Sequence, residues 1–365
     1  MPVRRYDVVF VGGGLAAALL LDGLRGALRG PVAVVDPTPQ ASGPGVHWSY
    51  WSRGRTLYDR HAIGEWRRAR VGGAPPEPIA PYALRLVRSG DVLDELFGSQ
   101  PIDWLKTAAR SVRSRPDGLY EVPTDAGTLV ARWVFDSARG LGPAFPAKTR
   151  PWAVLSGTGV RVVSDQPVFD AATATLFDPI DERSFAYLLP LGPREALLES
   201  AVFGPVAEKT TAAPLLAYLE DRYPGARFDL THEEIGIIPL GFAPSRTAGP
   251  RHVLLGAKRG LVKPSAGYGV VRIARESGEL ARLWRAGLPL PPVRRAAWPW
   301  SLLDVGFLQL VRKDPRLSMA LLGDVMRAVP ITDSLSFIDE DLPQRRLARV
   351  FFSALPSVLR GALRR

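Results

Sequence analysis

Three consecutive glycines, Gly12, Gly13 and Gly14, separate an apolar run from a helical stretch, and Asp36 follows about twenty residues later. Together these residue types support binding of a dinucleotide. Gly12, Gly14 and Ala17 fill the pattern G-x-G-x-x-A. Gly12 permits the tight turn out of a strand, Gly14 lets a pyrophosphate approach the backbone, and Ala17 keeps helix and strand close. At Leu15 and Ala16 the helix N-terminus offers N–H groups and the positive end of its dipole to phosphate. Asp36 is the acceptor for ribose hydroxyls.

The elements that must position these residues are legible around them. Asp7 to Val11 is an apolar, β-branched run suited to a strand buried on both faces. Leu15 to Leu28 carries apolar residues at helical spacing, with Gly30 at a C-cap position, and Val32 to Val35 reads as a second buried strand. Arg4 and Arg5 ahead of an apolar run also suit a signal peptide. Asp7 interrupts that run, and a triple glycine is poor material for its apolar centre.

A second glycine-rich turn comes late. Val253 to Gly256 reads as a strand, and the turn from Ala257 to Gly269 feeds a helix expected from about Val270 to Ala286. It offers a second place for phosphate or a flavin ring edge; the alternative is an ordinary strand–helix connection. It is not a phosphate loop of the GxxxxGK[ST] kind, since the spacing before Lys263 is wrong. Between the two turns, Trp133 to Asp136 is an apolar strand ending in an acid, followed by small residues to Gly140. In flavoproteins of this fold such a segment makes the cofactor domain's second approach to the dinucleotide.

The chain has 365 residues, room for two domains, and its 46% hydrophobic content is ordinary for a soluble globular protein. It has no cysteine, which excludes disulfides, cysteine–zinc sites and thiol catalysis and suits a reducing, cytoplasmic compartment. Its four histidines form no metal motif. The formal charge of +11 is dispersed, without a basic recognition helix or an aromatic-interleaved RNA module, so nucleic acid is not expected as a partner. Anionic membrane and arginine-rich codon usage remain as readings of that charge.

Gly45 to Trp51 is a loop dense in rings, including His47, Trp48, Tyr50 and Trp51. It reads either as a packed anchor or as a pocket wall beside the cofactor. Thr56 to Gly98 reads as short strands with proline-rich turns, and Ile102 to Arg110 as helical. Val154 to Gly204 is a series of strands suited to an antiparallel, substrate-facing sheet. Ala213 to Tyr223 reads as a short helix. From Leu302 the pattern is helical, broken at Pro315, Pro330, Pro343 and Pro356. Gln344 to Arg365 is basic and amphipathic, fit either to pack internally or to lie on an anionic bilayer. The expected class is α/β with an α+β second domain. A discontinuous Rossmann-like dinucleotide-binding domain takes 1–60, 100–150 and 235–290; a β-sheet substrate domain takes 61–99 and 151–234; a helical C-terminal region takes 291–365.

Taken together these segments resemble the lycopene cyclase family of flavoproteins. The resemblance is carried by Val11 to Ala16, His47 to Tyr50, Asp136 to Gly140, Pro167 to Asp170, Phe185 to Pro190, Leu197 to Glu199 and Glu234 to Pro239. Its most specific part is Gly260-Leu261-Val262-Lys263-Pro264-Ser265-Ala266-Gly267-Tyr268, with Pro-x-x-Gly-Tyr where hydroxylases have Gly-Asp. Three departures stand out. Glu199 is followed by Ser200 and Ala201 rather than a second acid and Thr, His47 directly precedes Trp48, and Gly269 replaces the usual Ser.

The resemblance implies bound FAD, active in its reduced form with NAD(P)H as a candidate reductant. It implies a membrane-soluble isoprenoid substrate such as lycopene, ring closure without net redox change, and a peripheral membrane location. The departures open the substrate to other linear terpenoids or prenylated metabolites. Cyclisation needs a strong acid shielded from water. Glu199 is the first choice, because burial at a strand end favours its neutral form, and Asp170 is the second; the alternative for Glu199 is an ordinary ion pair. Trp48, Tyr50, Trp51, Phe185 and Tyr187, with His47, are the expected pocket, whose rings either face the cation or belong to the core. Gly12, Gly14, Leu15, Ala16, Ala17, Asp36, Asp136, Pro264, Gly267 and Tyr268 are the expected cofactor contacts. The rivals are a redox flavoenzyme, either a monooxygenase or a prenyl reductase, and a non-catalytic flavin- or polyene-binding protein.

Overall fold

The apolar run at the start of the chain becomes β1 (Val3–Val11), whose last four residues are fully buried. A strand shielded on both faces belongs in the middle of a sheet. β1 lies between β2 (Val32–Val35) and β11 (Gly127–Asp136), parallel to both. The sheet continues to β8 (Asp103–Leu105) beyond β2, and to β10 (Tyr120–Thr124) and β9 (Arg113–Ser114) on the other side. β17 (His252–Leu254) also pairs with β11, in parallel. This computed structural model describes residues 3–38, 45–98, 101–138, 153–242, 247–293, 300–350 and 352–353.

One helix follows β1 and another follows β17. α1 (Leu15–Gly23) is shorter than the apolar spacing predicts, ending at Gly23 rather than Leu28. α4 (Val270–Arg285) packs against it so closely that a Cβ on Gly23 would stand 2.7 Å from the Cβ of Ala281. The two glycine turns are thereby neighbours: a Cβ on Gly256 would lie 3.0 Å from that of Ala16.

The second sheet runs β16 (Phe228–Leu240), β12 (Ala153–Ser164), β15 (Glu195–Gly204), β14 (Ser184–Gly192), β13 (Thr173–Pro179), β5 (Arg68–Val71), β6 (Glu77–Pro78). Its first five strands are antiparallel neighbours. α3 (Ala213–Arg222) covers one face, burying Leu215 and Leu219 against Val160, Val162 and Leu198. The other face carries Leu197, Phe185, Tyr187 and Phe203 into the largest core. That core also takes residues from α5 (Trp300–Lys313), α6 (Pro315–Ala328) and α7 (Ile331–Ile338). The prolines punctuate these helices as expected: Pro315 is at the start of α6, where the Asp314 side chain caps, and Pro330 precedes α7.

A third, three-stranded sheet, β3 (His47–Ser52), β7 (Ala83–Arg88) and β4 (Ala62–Trp66), joins the other two. The ring-rich stretch is therefore a strand rather than a loop. Ser89 to Phe97 forms α2, not a strand, and Ile102 to Arg110 supplies β8 instead of a helix. Pairing with β2 and the packing of Trp104 on Phe97 override the weak helical pattern there.

Residues 344–350 are helical, and Leu347 and Val350 are buried against Val325, Val329 and Leu342, so this part of the basic amphipathic segment packs on its own protein. The remainder of that segment beyond 353, and Arg139 and Gly140 of the turn after β11, lie outside the described residues. Among the described residues no helix is long and apolar enough to cross a membrane.

Candidate active site

The register of the second sheet builds a row of side chains across four strands. Gly159 on β12 faces Glu199 of β15 on one side and Glu234 of β16 on the other. Tyr187 of β14 faces Glu199 in turn. Residues directly opposed in antiparallel strands point to the same face, so Glu234, Glu199 and Tyr187 share one. Gly159 makes room for the Glu234 side chain, which lies across it close enough to Glu199 for its charge to be felt there. A Cβ there would stand 2.8 Å from Glu234 Cγ.

β3 lies over this row, and its alternation matches it residue by residue. Both the backbone N–H and the Nδ1 of His47 meet the Glu234 carboxylate, at 3.0 and 2.9 Å. Ser49 Oγ donates to Glu199 Oε2 at 3.4 Å, long for a hydroxyl–carboxyl bond. Trp51 packs its ring on Tyr268 with centroids 3.9 Å apart. His232, two residues before Glu234 on the same strand, also reaches Glu234 Oε2, at 3.2 Å.

Glu199 keeps some accessible surface, yet protein crowds its carboxyl. Burial pushes its pKa up to about 8; the nearby charge of Glu234 adds to that, and the Ser49 hydroxyl opposes it weakly. Burial likewise raises the hydroxyls of Tyr187 and Tyr268, which interact with each other and with Glu199. A carboxylic acid that keeps its proton near neutral pH thus sits among aromatic rings, one strand from a carboxylate occupied as an acceptor.

Not every expected residue joins this cluster. Asp170 is exposed: its carboxyl accepts from the backbone of Ala172 and faces Arg70 at 3.7 Å, so it is not a shielded acid. Trp48 and Tyr50 occupy the alternate face of β3 and pack with the core around α1 and α2. The Tyr50 hydroxyl is committed to Asp59 at 2.8 Å. Phe185 stands in a ring stack with Phe177, Tyr187 and Phe203, behind the row rather than in it. His47, Trp51 and Tyr187 are brought together with Glu199.

The first glycine turn has the geometry its residues demand. Gly12 adopts φ 95°, and a Cβ there would collide with Ser137 Oγ at 2.6 Å. Gly14 has no such neighbour: a Cβ would meet nothing within 4 Å, so the space beside it is open to a ligand. α1 has no side-chain cap, which leaves its first N–H groups for an anion. Ala17 donates its N–H to Gly14 and is wholly buried, so its part is packing. Asp36 accepts from Gly13 N–H at 2.7 Å and Thr38 N–H at 2.8 Å at the end of β2, with room for further donors. The edge of Trp104 stands beside Gly13 and Asp36.

Asp136 corrects its expected role as a cofactor contact. Its buried carboxylate holds Lys258 Nζ at 2.6 Å and His252 Nε2 at 3.1 Å, tying β11 to the late turn instead of facing a ligand. In that turn Lys263 N–H bonds to Tyr268 O and Gly267 N–H to Lys263 O, both at 2.8 Å, and Pro264 is buried. Gly267 has φ 78°, and a Cβ would stand 2.7 Å from Leu155. This tight loop aims Tyr268 at Trp51 and opens into the uncapped N-terminus of α4. A cleft runs between them, lined by Trp51, Tyr268, Val270, Arg272 and Asp339.

Sequence reading missed Glu234 and His232 as site residues, along with Ser49 and Gly159. His232 and Glu234 stand two apart on a strand, which alone puts them on one face. Nothing in one strand says that Gly159 and Glu199 lie beside them.

Solved structures share the whole architecture. A geranylgeranyl bacteriochlorophyll reductase-like protein from Thermoplasma acidophilum matches 99% of this chain and 99% of its own, with TM-score 0.60 and 15% identity. A flavoprotein/dehydrogenase from Cytophaga hutchinsonii matches 98% of this chain and 100% of its own, with TM-score 0.60 and 13% identity. The rebeccamycin biosynthetic enzyme solved with reduced flavin matches 94% of this chain and 70% of its own, with TM-score 0.56 and 17% identity. Identities this low speak for the fold, a Rossmann-type α/β architecture. No match is found among curated proteins. The model of the family described as lycopene cyclase protein matches residues 7–354.

Proposed function

The chain belongs to the lycopene cyclase family, and from that premise we propose that it is an FAD-dependent isomerase closing a ring at the end of a linear isoprenoid such as lycopene. The observation that supports this most is Glu199, a carboxyl whose pKa burial pushes up to about 8, so that it keeps its proton at neutral pH, set beside Tyr187 and Tyr268, on which Trp51 packs. Protonating an alkene carbon needs an acid that water does not level, and the cation formed needs walls that do not quench it. Ring faces contribute on the order of 1–2 kcal/mol each to a desolvated cation.

The residues present fit FAD. The open space beside Gly14, the first N–H groups of α1 at Leu15 and Ala16, and Asp36 would hold the dinucleotide. The turn from Pro264 to Tyr268 and the start of α4 would face the flavin ring. When bound and reduced, with NAD(P)H as reductant, the flavin would supply negative charge to stabilise a cationic intermediate. Glu199 gives its proton to the terminal alkene, and Ser49, bound only loosely to it, holds the carboxyl in place without drawing the proton away.

A substrate of this kind is dissolved in membrane. The charge of +11, with Arg345, Arg346 and Arg349 around an open cleft beside Asp333, supports a peripheral attachment to an anionic surface on the cytoplasmic side.

The test uses the full chain with FAD, reduced anaerobically, and lycopene in liposomes. The expected product has the mass of the substrate and forms without steady consumption of reductant. Glu199→Gln should lower its rate by roughly 10²- to 10⁴-fold while keeping flavin bound. A product two hydrogens or one oxygen heavier, formed in proportion to reductant used, would establish the redox alternative instead.

A further inference from the structure

Ring closure by acid leaves a cation that must lose a proton, so the reaction needs a base as well as an acid. We infer that the Glu234–His47 pair is that base: His47 Nε2 takes the proton released by the ring carbocation, and Glu234 orients the imidazole. The inference rests on the cyclase reading and adds to it the group that ends the reaction.

The geometry is that of a carboxylate–imidazole dyad. Glu234 lies 2.9 Å from His47 Nδ1 and also accepts the backbone N–H of His47, which fixes the ring's place on β3. With a carboxylate as partner, Nδ1 carries the hydrogen, and the lone pair is left on Nε2. Nε2 is buried and meets no hydrogen-bond partner among the described residues. The His47 side chain is only 6% exposed and Glu234 only 8%. A buried nitrogen without a partner is costly unless something fills its place, and a releasing C–H bond is such a partner. His232 bonds to the same carboxylate oxygen, and its side chain is 30% exposed, so a proton has a path from the dyad to solvent.

Glu199 and Glu234 share one face of the sheet with β12 between their strands, the Glu234 side chain lies over Gly159 between them, and His47 stands above on β3. Environments that keep one group protonated and leave the other as an acceptor are what a paired acid and base require. Around His47 the titratable groups are Glu234 and His232 from β16, Glu199 from β15 beyond Gly159, and Arg88, its cross-strand partner on β7.

The step balances without an outside reagent. The Glu199 O–H bond breaks and a C–H bond forms at the terminal alkene. The next alkene's π pair forms the ring C–C bond. A C–H bond beside the new cation breaks, its pair becomes the ring double bond, and its proton goes to His47 Nε2. That proton leaves through Glu234 and His232 as Glu199 recovers one, so neither protons nor electrons are consumed overall.

The test is run in D2O with the full chain, reduced FAD and lycopene in liposomes. Wild type should place one deuterium in each ring it closes, and Glu199→Gln should leave the recovered substrate free of deuterium. His47→Gln should lower ring formation by roughly 10²-fold or more, while the recovered substrate gains deuterium, because protonation still occurs. Glu234→Gln should lower ring formation with the same deuterium gain and mix the two tautomers of His47 in its 15N spectrum, since no carboxylate then orients the imidazole. If His47→Gln fails to fold, Gly159→Ala displaces Glu234 by its Cβ contact and should show the same deuterium gain with loss of product.

Two further measurements need no substrate. 15N NMR of the resting enzyme should show a protonated Nδ1 and a bare Nε2 on His47, and the reverse tautomer would overturn the assignment. So would stoichiometric zinc in the purified protein, since His47, His232 and Glu234 have ligand atoms within 4.8 Å of one another and would then serve a metal. Wild-type rates in His47→Gln would overturn the base alone, whereas wild-type rates in Glu199→Gln would overturn the acid.

Discussion

Glu199 contributes to the pH response of the folded protein. Its ordinary value of 4.5 is pushed up to about 8 in the fold, first by burial and then by the charge of Glu234. Below the ordinary value both folded and unfolded chains are protonated there, and stability does not depend on this group. Between the two values the unfolded chain has released a proton that the folded chain still holds, so stability falls as pH rises. Above about 8 the penalty is complete. Wild type is therefore expected to lose thermal stability between pH 5 and pH 9 more steeply than Glu199→Gln, with the variant the more stable at pH 9. Each kcal/mol corresponds to about 2–4 °C in a chain of moderate size, so calorimetry should resolve a gap of several degrees. Parallel Tm–pH curves for the two proteins would mean that the carboxyl is solvated, and Glu199 would lose its part as the acid.

The elements divide by whether their signals are local. The strand, glycine turn, helix and second strand from Val3 to Val35 are readable because each residue's task is met within its own segment: buried β-branched residues, a turn that needs φ 95° at Gly12, and an acid at the strand end. The late turn is readable for the same reason at Gly267. The row Glu234, Gly159, Glu199 and Tyr187 is not, since four strands contribute to it and no single strand states its register. Asp136 misleads because a strand-terminal acid looks alike whether its partner is a ribose or a buried Lys258 brought from 122 residues away. Trp48 and Tyr50 mislead because a run of rings taken for a loop carries no alternation, whereas β3 sends every second one to the opposite core.

The glycine turn yields a prediction that separates fold from ligand. Gly14 has ordinary extended angles, φ −87° and ψ −174°, and open space where a Cβ would go. Gly14→Val should therefore unfold within about 0.5 kcal/mol of wild type when free of flavin, yet bind FAD at least roughly tenfold more weakly, a loss of about 1.4 kcal/mol or more. Gly12→Ala should destabilise the apoprotein itself by about 1–2 kcal/mol, because an L side chain at that φ is strained and Ser137 is in the way. Flavin titration and denaturant unfolding of both variants check the contrast, and an apoprotein of Gly14→Val as weakened as that of Gly12→Ala would refute it.

At the scale of the whole molecule a buried ion cluster ties the C-terminal helices to the late turn and α4. Lys263, fully buried in the late turn, places Nζ 2.8 Å from Asp304 of α5 and 3.1 Å from Glu340, just past α7. Arg272 of α4 holds the same Glu340 at 3.0 Å. Such a cluster does not by itself add much net stability, but removing one member strands a charge. Burial raises the pKa of Asp304, and Lys263 is what opposes that rise. Lys263→Met is therefore expected to cost roughly 3–5 kcal/mol at neutral pH, and less at pH 5, where an unpartnered Asp304 more readily takes up a proton. Lys263→Met with Asp304→Leu should restore most of the loss, since two apolar side chains replace the pair without an orphan. Urea unfolding of the three proteins at pH 5 and pH 7.5 tests the argument. A single variant as stable as wild type, or a double variant no better than the single, would mean that the cluster does not hold the helices in place.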